Sequence, residues 1–216
     1  MIEFALKTLL SYLLGSLLGS LLLGRLTGRP DIRALGSGNP GSTNALRSHG
    51  KLFALCVAAI DVGKGWLATR IVPTLALPLS AVPGAVHAWL PSACGMAVIL
   101  GHVYPVWFGF RGGKGVATFF GAALGMAPRL ALASLAVWAG VIVTIGFVGL
   151  ASIVAAASLP LFIAADGLGR DRPLLVFALL AAILIMLTHR RNIARMLQGR
   201  EPRARRPWQH GRRVAS

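Results

Sequence analysis

A series of long apolar segments, separated by short polar loops, limits the fold of this chain more than any other feature of its sequence. The segments cover residues 4–24, 52–77, 83–103, 116–127, 130–147, 150–165 and 173–188. A helix that crosses the hydrocarbon core of a bilayer needs about 20 mainly apolar residues. The sequence therefore predicts an all-α integral membrane protein with seven transmembrane helices, or with five if some segments only enter the membrane.

Composition supports this class. Hydrophobic residues make up 56% of the 216 residues and charged residues 13%, whereas a soluble domain carries about 25% charged residues. A signal peptide is the competing interpretation of the first segment. That segment is long for a signal peptide and lacks a clear small-residue cleavage site before Arg25, so we expect a retained helix.

The basic residues are concentrated in three polar segments. The chain has 22 Lys and Arg residues against six Asp and Glu residues, and 16 of the 22 lie in these segments. With seven spans the three segments share one side of the membrane, which the positive-inside rule assigns to the cytoplasm. We therefore expect the N-terminus outside and the C-terminus in the cytoplasm. The residues are Arg25, Arg29, Arg33, Arg47 and Lys51, then Arg111 and Lys114, and finally Arg190, Arg191, Arg195, Arg200, Arg203, Arg205, Arg206, Arg212 and Arg213.

The domain organisation follows from the same distribution. We expect a single membrane domain over residues 1–201 and a basic, disordered cytoplasmic tail over residues 202–216. The Arg-rich tail is typical of a topogenic charge cluster that also contacts anionic lipid, with a specific partner site as the alternative.

The first polar loop is rich in glycine and in hydrogen-bonding side chains. Its Gly36-x-Gly38-x-x-Gly41 spacing matches the dinucleotide fingerprint, but that fingerprint requires a βαβ unit, and this loop joins two membrane helices. Closely spaced glycines let backbone N–H groups converge on an anion, and Arg47 adds a planar cation. A flexible connector is the alternative, but the mixture favours anion binding. Further donors are Ser37, Asn39, Ser42, Thr43 and Asn44.

The second loop carries Arg111 followed by Gly112, Gly113, Lys114 and Gly115. It is not a P-loop, because glycine stands where Ser or Thr would bind Mg²⁺. A glycine-rich turn at a helix N-terminus still suits a phosphate, with the lysine as a point charge. A positive-inside anchor is the alternative, but an anchor would not need the surrounding glycines.

The third segment is expected to continue the last span, with His189 and Asn192 near one helix face. Glu201 is the only acidic residue after Asp171, and we expect it to pair with basic neighbours. Asp61 and Lys64 stand three residues apart in the second span, where ionisable groups are costly. We expect them to form a mutual pair or to reach toward the cytoplasmic site.

Together, the clusters offer cations, amides and hydroxyls but few carboxylates. Hard metal ions need oxygen ligands from carboxylates and zinc needs Cys or clustered His, so we expect no metal and no cofactor. The composition suits a phosphate-bearing ligand. An anion transporter and a nucleic-acid-binding membrane anchor are the competing classes. Transporters usually place polar groups near the midplane, often with inverted repeats, whereas here the polar groups gather on one face and no repeat is present. A nucleic-acid anchor would depend on residues 202–216, which we expect to be dispensable, and we expect no nucleic-acid partner.

These motifs resemble those of the bacterial PlsY-type acyl-phosphate:glycerol-3-phosphate acyltransferases. The resemblance extends from the first span to about Glu201 and excludes the tail. It rests on residues 36–44 with Arg47, Asp61-x-x-Lys64-Gly65, Gly101-His102-x-Tyr104-Pro105, residues 112–118, and His189-Arg190-x-Asn192-Ile193 with Gly199-x-Glu201. Arg111 departs from the family's frequent Lys, and Ser42 from its frequent Ala.

The resemblance implies transfer of a fatty acyl group from acyl phosphate to the 1-hydroxyl of sn-glycerol 3-phosphate. The products are lysophosphatidic acid and phosphate, in the first step of phospholipid synthesis. It implies a multi-pass protein of the bacterial inner membrane, with its active site on the cytoplasmic side and a functional link to the enzyme that makes acyl phosphate. The implied catalytic residues are Ser37, Arg47, His102, Lys114, His189 and Asn192, and the implied substrate-binding residues are Gly38, Asn39, Gly41, Thr43, Asn44, Arg111, Gly112, Gly113 and Gly115.

The chemistry needs orientation of the hydroxyl and stabilisation of charge on the intermediate and the departing phosphate. We expect Arg47 and Lys114 to stabilise that charge. The proton acceptor is either His102 or His189, or the phosphate of the substrate itself, and the sequence does not decide between them.

Overall fold

The structure is a computed structural model that describes residues 1–77, 83–167 and 171–204. In these ranges the chain forms α-helices and short 3₁₀ turns and no β-strand, which confirms the predicted all-helical class. The 3₁₀ turns are Ile32–Ala34, Val72–Thr74 and Val106–Phe108. The α-helices are α1 (Ile2–Gly15), α2 (Gly19–Leu26), α3 (Ser42–His49), α4 (Lys51–Arg70), α5 (Gly84–His87), α6 (Leu90–Val103), α7 (Val116–Met126), α8 (Pro128–Thr144), α9 (Val148–Ala165), α10 (Arg172–Thr188) and α11 (Arg190–Leu197).

The helices give between three and five candidate membrane spans. Lys51–Thr74, Gly84–Phe108 and Val148–Ala165 are each long and apolar enough to cross a bilayer. The pairs α1–α2 and α10–α11 also pass if each bent pair is one span. Helices α7 and α8 have 11 and 17 residues, and at about 1.5 Å per residue α7 is far shorter than the hydrocarbon core. The predicted count of seven is not confirmed, and the alternative of five lies at the upper end of this range.

The first span is broken. The sequence predicts one helix over residues 4–24, but α1 and α2 are separated at residues 16–18 and bend by 52°. A break in a helix frees carbonyl groups that need other donors inside a membrane. Lys64 of α4 supplies them, because its ammonium donates to the carbonyl oxygens of Gly15 at 3.0 Å and Leu17 at 2.8 Å.

The last span also bends where the sequence predicts a continuation. Helix α10 ends at Thr188, and α11 leaves it at 55°. His189 stands at the corner, and its ring bonds the carbonyl oxygen of Ile185 at 2.8 Å. The bend carries the polar residues of α11 sideways across the end of the bundle, so that they face the loops instead of extending away from them.

Glycines let neighbouring helices touch backbone to backbone. A methyl group at Gly65 of α4 would lie 2.2 Å from the carbonyl oxygen of Thr118, and one at Gly121 of α7 would lie 2.0 Å from that of Val62. Small residues at helix contacts are the usual means of close packing in membranes. These contacts hold the short α7 against the long α4 and fix the start of α7 beside the polar loops.

The remaining packing is typical of a membrane bundle, with apolar side chains inside and outside. Phe119 and Phe177 stack in the core with ring centroids 6.3 Å apart. On the outer faces, Leu161 of α9 and Leu187 of α10 are 70% and 54% exposed. Exposed leucines in such numbers suit a lipid environment and would be unfavourable in water.

Candidate active site

The three polar segments meet around one cavity of about 630 Å³. The cavity has a polar end, formed by the loops and α11, and an apolar arm, formed by α7, α8 and α9. The polar end is lined by Gly36, Ser37, Asn39, Gly41, Ser42, Thr43, Asn44, Arg47, Asp61, His102, Lys114, Gly115, His189, Asn192, Arg195 and Glu201. The apolar arm is lined by Val116, Ala117, Phe120, Leu124, Ala131, Leu132, Leu135, Trp138 and Val148.

Asn44 organises the first loop. Its side-chain amide donates to the carbonyl oxygens of Ile32 at 3.2 Å and Leu35 at 2.9 Å, and its Oδ1 accepts the backbone N–H of Ser37 at 3.0 Å. Gly36 has a φ of +55°, and a methyl group there would lie 2.3 Å from Asn44 Oδ1. Only glycine fits this contact, so the loop is held in one shape around the entrance to the cavity.

The second loop is fixed against the end of α6. The N–H of Gly113 donates to the carbonyl oxygen of His102 at 3.0 Å, and that of Gly112 donates to Val103 at 3.2 Å. Gly115 has a φ of +84° and stands directly before the first residue of α7. The loop therefore delivers Lys114 to the cavity beside the N-terminus of a helix, where backbone N–H groups favour an anion.

A chain of polar contacts joins this lysine to α11 and the segment after it. The Lys114 ammonium donates to Oδ1 of Asn192. The amide of Asn192 donates to Glu201 at 2.6 Å, and Arg195 donates to the same carboxylate at 2.7 Å. The contact between Arg195 and Glu201 confirms the expected pairing of this acid with a basic neighbour.

Burial lowers the pKa of Lys114 to about 8, and the nearby carboxylate of Glu201 opposes that shift. The ammonium is therefore charged at neutral pH and loses its charge in the mildly alkaline range. A lysine in this state binds phosphate well near pH 7 and poorly above pH 9, by the ordinary titration of one group.

His189 presents a free ring nitrogen. Its side chain is buried, and its Nδ1 lies 2.8 Å from the carbonyl oxygen of Ile185. A carbonyl oxygen only accepts, so Nδ1 carries the proton and Nε2 keeps its lone pair. Among the described residues that line the cavity, Arg47 has no ion-pair partner, which leaves its guanidinium available to an anionic ligand.

Comparison with known proteins places this site in a family. A family model described as glycerol-3-phosphate acyltransferase matches residues 5–199. The chain belongs to the glycerol-3-phosphate acyltransferase family. A relative of that name from Geobacter sulfurreducens is 42% identical over 174 residues, which cover 80% of this chain and 84% of the relative. One from Gloeobacter violaceus is 44% identical over 181 residues, or 83% of this chain and 84% of the relative.

Two solved structures are similar to this acyltransferase over almost the whole chain. Both are crystal structures of PlsY, an integral membrane glycerol 3-phosphate acyltransferase. The glycerol 3-phosphate form is 38% identical with a TM-score of 0.81, and the lysophosphatidic acid form is 37% identical with a TM-score of 0.79. Each match covers 93% of this chain and 94% of the other. These findings confirm the predicted family and the integral membrane, acyltransferase class of the chain.

The acyltransferase structure brings most of the predicted site residues together. Every predicted catalytic residue lines the cavity, as do Asn39, Gly41, Thr43, Asn44 and Gly115. Gly38, Arg111, Gly112 and Gly113 are not among the residues that line it. Gly112 and Gly113 hold the second loop against the end of α6 through their N–H groups, and Arg111 is exposed outside the cavity. The roles of all these residues remain predictions.

Two features of this acyltransferase are not predicted by its sequence. They are the apolar arm of the cavity and the path of residues 199–204 after α11. Ala204 donates its N–H to the carbonyl oxygen of Gly146 at 2.7 Å, and the Arg203 guanidinium lies 5.1 Å from the ring centre of Phe147. Residues 199–204 therefore cross from α11 to the turn between α8 and α9. Residues 205–216, which hold most of the predicted disordered tail, lie outside the described residues.

Proposed function

We propose that the chain transfers a fatty acyl group from acyl phosphate to the 1-hydroxyl of sn-glycerol 3-phosphate. The products are lysophosphatidic acid and inorganic phosphate. The observation that carries the proposal is the cavity itself, whose cationic polar end is continuous with an apolar arm. The phosphate groups of the acceptor and of the acyl phosphate each need a cationic site, and the acyl chain needs an apolar one. The ligands named for the two similar crystal structures, glycerol 3-phosphate and lysophosphatidic acid, have the same two chemical parts.

The polar end holds the phosphate groups. Arg47 offers a planar fork and Lys114 a point charge, and both charges suit phosphate oxygens. The first-turn N–H groups of α7 add donors beside Lys114. Ser37, with the loop that Asn44 holds in shape, completes the wall on the opposite side. Gly112 and Gly113 fix the second loop, which carries Lys114, against the end of α6. The motif implies that this segment binds glycerol 3-phosphate.

The apolar arm holds the acyl chain. It runs along α7 past Phe120 and Leu124 and is closed on the other side by Leu135 and Trp138 of α8. Burial of apolar surface gives about 0.8 kcal/mol for each CH₂ group. This gain fixes the acyl chain while the reacting carbonyl stays at the polar end.

Two proton acceptors fit the geometry when the hydroxyl attacks the acyl carbon. One is Nε2 of His189, whose other ring nitrogen is committed to Ile185. The other is a phosphate oxygen of the acyl phosphate. A fall in kcat of about 10²-fold or more in His189→Ala would favour the imidazole as the base. An effect confined to KM would favour the phosphate.

We also propose the membrane arrangement. The three basic segments face the cytoplasm by the positive-inside rule, which gives an external N-terminus, a cytoplasmic C-terminus and a cytoplasmic active site in the bacterial inner membrane. Seven spans and five spans predict the same sides, because α7 and α8 form a hairpin whether they cross the membrane or return within it. This side would receive acyl phosphate from the enzyme that makes it.

The test is an assay of the purified chain in lipid nanodiscs with glycerol 3-phosphate and palmitoyl phosphate. We expect phosphate release that depends on both substrates, with formation of lysophosphatidic acid, and loss of this activity in Arg47→Ala. Arg29→Ala is the matched control, because Arg29 lies in the same loop and does not line the cavity. Activity with palmitoyl-CoA alone would contradict the proposed donor.

A further inference from the structure

A buried ion pair of α4 lies beside the polar end and joins three parts of the site. The side chains of Asp61 and Lys64 are 1% and 4% exposed, and their charged atoms are 2.8 Å apart. Lys64 Nζ also contacts Nδ1 of His102 at 2.9 Å and the carbonyl oxygens of Gly15 and Leu17. Phosphate binding alone does not require this pair, because Arg47 and Lys114 already supply cations. The arrangement around Lys64 therefore needs another explanation.

The protons of the ammonium decide the state of His102. An ammonium carries three protons and accepts none. These protons are shared among four atoms within 3.0 Å of Nζ, which are the carbonyl oxygens of Gly15 and Leu17, Asp61 Oδ1 and Nδ1 of His102. Asp61 Oδ1 lies 2.8 Å from the same ammonium, so it accepts from it and balances its charge.

Nδ1 of His102 must therefore be an acceptor. A proton there would point at an ammonium hydrogen across a contact of 2.9 Å. Asp61 offers such a proton only a long contact, since its Oδ1 lies 3.5 Å from Nδ1, longer than an ordinary hydrogen bond. A neutral imidazole with an unprotonated Nδ1 carries its proton on Nε2.

We propose that Lys64 and Asp61 are positioning residues that hold His102 as the Nε2–H tautomer, so that His102 donates a hydrogen bond to a substrate oxygen. The inference rests on the proposed function and deepens it. His102 lines the cavity, and its Nε2 is turned toward the second loop, where a methyl group at Gly113 would lie 2.1 Å from it. A phosphate oxygen held by that loop would accept from Nε2. His102 is then a donor and not the catalytic base.

The two buried histidines of the site thus present opposite chemistry to the cavity. In His189 the proton is held on Nδ1 by the carbonyl oxygen of Ile185, and Nε2 is an acceptor. In His102 the lone pair of Nδ1 is held by Lys64, and Nε2 is a donor. The same side chain serves both purposes because each is fixed by a different partner outside the cavity.

The first test observes the tautomer directly. The full chain is labelled with ¹⁵N-histidine in nanodiscs, and the His102 signals are identified by their absence in His102→Gln. We expect two-bond couplings at pH 7 to show Nε2–H in the wild type. In Lys64→Met, Asp61 becomes the nearest charge, and we expect a proton on Nδ1. A wild-type spectrum with Nδ1–H, or with a doubly protonated ring, would overturn the proposal.

Lys7→Met is the matched control for this spectrum. Lys7 is 2% exposed, pairs with Glu3 at 2.6 Å and donates to the carbonyl oxygen of Pro73 at 2.8 Å. It is therefore a lysine of equal burial and similar bonding that lies outside the cavity. We expect its substitution to leave the His102 signals unchanged, and a change as large as that of Lys64→Met would refute a specific role for Lys64.

The second test separates a donor from a base. Gln keeps a side-chain N–H donor but cannot take a proton in the working range. We therefore expect His102→Gln to retain kcat within about tenfold of the wild type and His102→Leu to lose about 10²-fold. Equal losses in both variants would overturn the donor role. Absence of wild-type activity would instead refute the proposed function, and the spectra would still decide the tautomer.

Discussion

The two ends of the cavity are built in different ways. The polar end is fixed by directional contacts, such as the three bonds of Asn44 and the chain from Lys114 through Asn192 to Glu201. The apolar arm is formed by side chains of α7, α8 and α9 that make few such contacts, among them a bond of 3.3 Å between Trp138 and Ser152 and one of 2.9 Å from Ser152 to the carbonyl oxygen of Val148. The comparison teaches that the polar end has one fixed arrangement of donors and charges, as the proposed placement of the reacting groups requires, whereas the arm offers volume and an apolar surface.

Substitution of Lys114 should show the largest difference between the two ends. Lys114→Met keeps much of the side-chain volume but removes the charge that is proposed to bind the phosphate. We expect kcat/KM for glycerol 3-phosphate to fall by about 10²–10³-fold, the usual cost of removing one preorganised donor. The fall in kcat/KM is measured from steady-state rates of phosphate release.

The control for Lys114→Met is Leu132→Met, a change of similar size in the arm. We expect it to leave kcat/KM near the wild-type value. Comparable losses in both variants would show that the two ends are not distinct.

The pH dependence should follow the charge of the same lysine. The pKa of Lys114 is lowered to about 8, so its charged fraction falls as pH rises. We expect kcat/KM, which reports the free enzyme, to drop by about tenfold between pH 7 and pH 9. Lys114→Arg keeps its charge in this range, and an alkaline fall of the same size in that variant would exclude Lys114 as its cause.

A bulky substitution in the arm should change selectivity and not chemistry. Leu135→Trp adds volume where the acyl chain is proposed to lie. We expect the kcat/KM ratio of palmitoyl to decanoyl phosphate to fall by about tenfold, since each displaced methylene loses part of about 0.8 kcal/mol. Competition between the two donors measures the ratio. An equal loss with both chain lengths would contradict the proposed path.

The smallest effect should come from the hydrogen bond within the arm. Trp138→Phe removes the bond to Ser152 and retains an aromatic ring. Such bonds in membrane proteins contribute about 0.6 kcal/mol on average. We expect a loss of stability of this order with unchanged kcat, measured by thermal unfolding in detergent. Ser152→Ala should cost at least as much, because it also removes the bond from Ser152 to the carbonyl oxygen of Val148. A marked loss of kcat in either variant would place the bond in the catalytic machinery.

The sequence predicts the polar end better than the arm, for a physical reason. Glycines, Asn44 and Lys114 stand out in an apolar chain, and the family's motifs associate them with one another although they lie far apart along the chain. Leu124, Leu132 and Leu135 do not stand out, because helices that are apolar on every face show no periodicity that marks one side.

The two bends were not predicted from the pattern of apolar residues. The break after Gly15 is stabilised by Lys64, which is 49 residues away in the sequence. The corner at His189 depends on a side chain that bonds its own preceding turn. Helix α3 was also missed, because Ser42–His49 follows a glycine-rich run that predicts a loop. The partner of the first break therefore lies outside the window in which a helical pattern is recognised, whereas the bond at His189 is local and a helical pattern does not reveal it.

The broken first span has a consequence for biosynthesis. Its two free carbonyl groups are satisfied by an ammonium that the ribosome adds 47 to 49 residues later. Until that part of the chain has been inserted, the nascent first helix pair must keep those groups hydrated or bound to the insertion machinery. Assembly of α1 and α2 against α4 is therefore a late, long-range step, and a chain truncated before residue 64 should fail to fold into the membrane as a stable fragment.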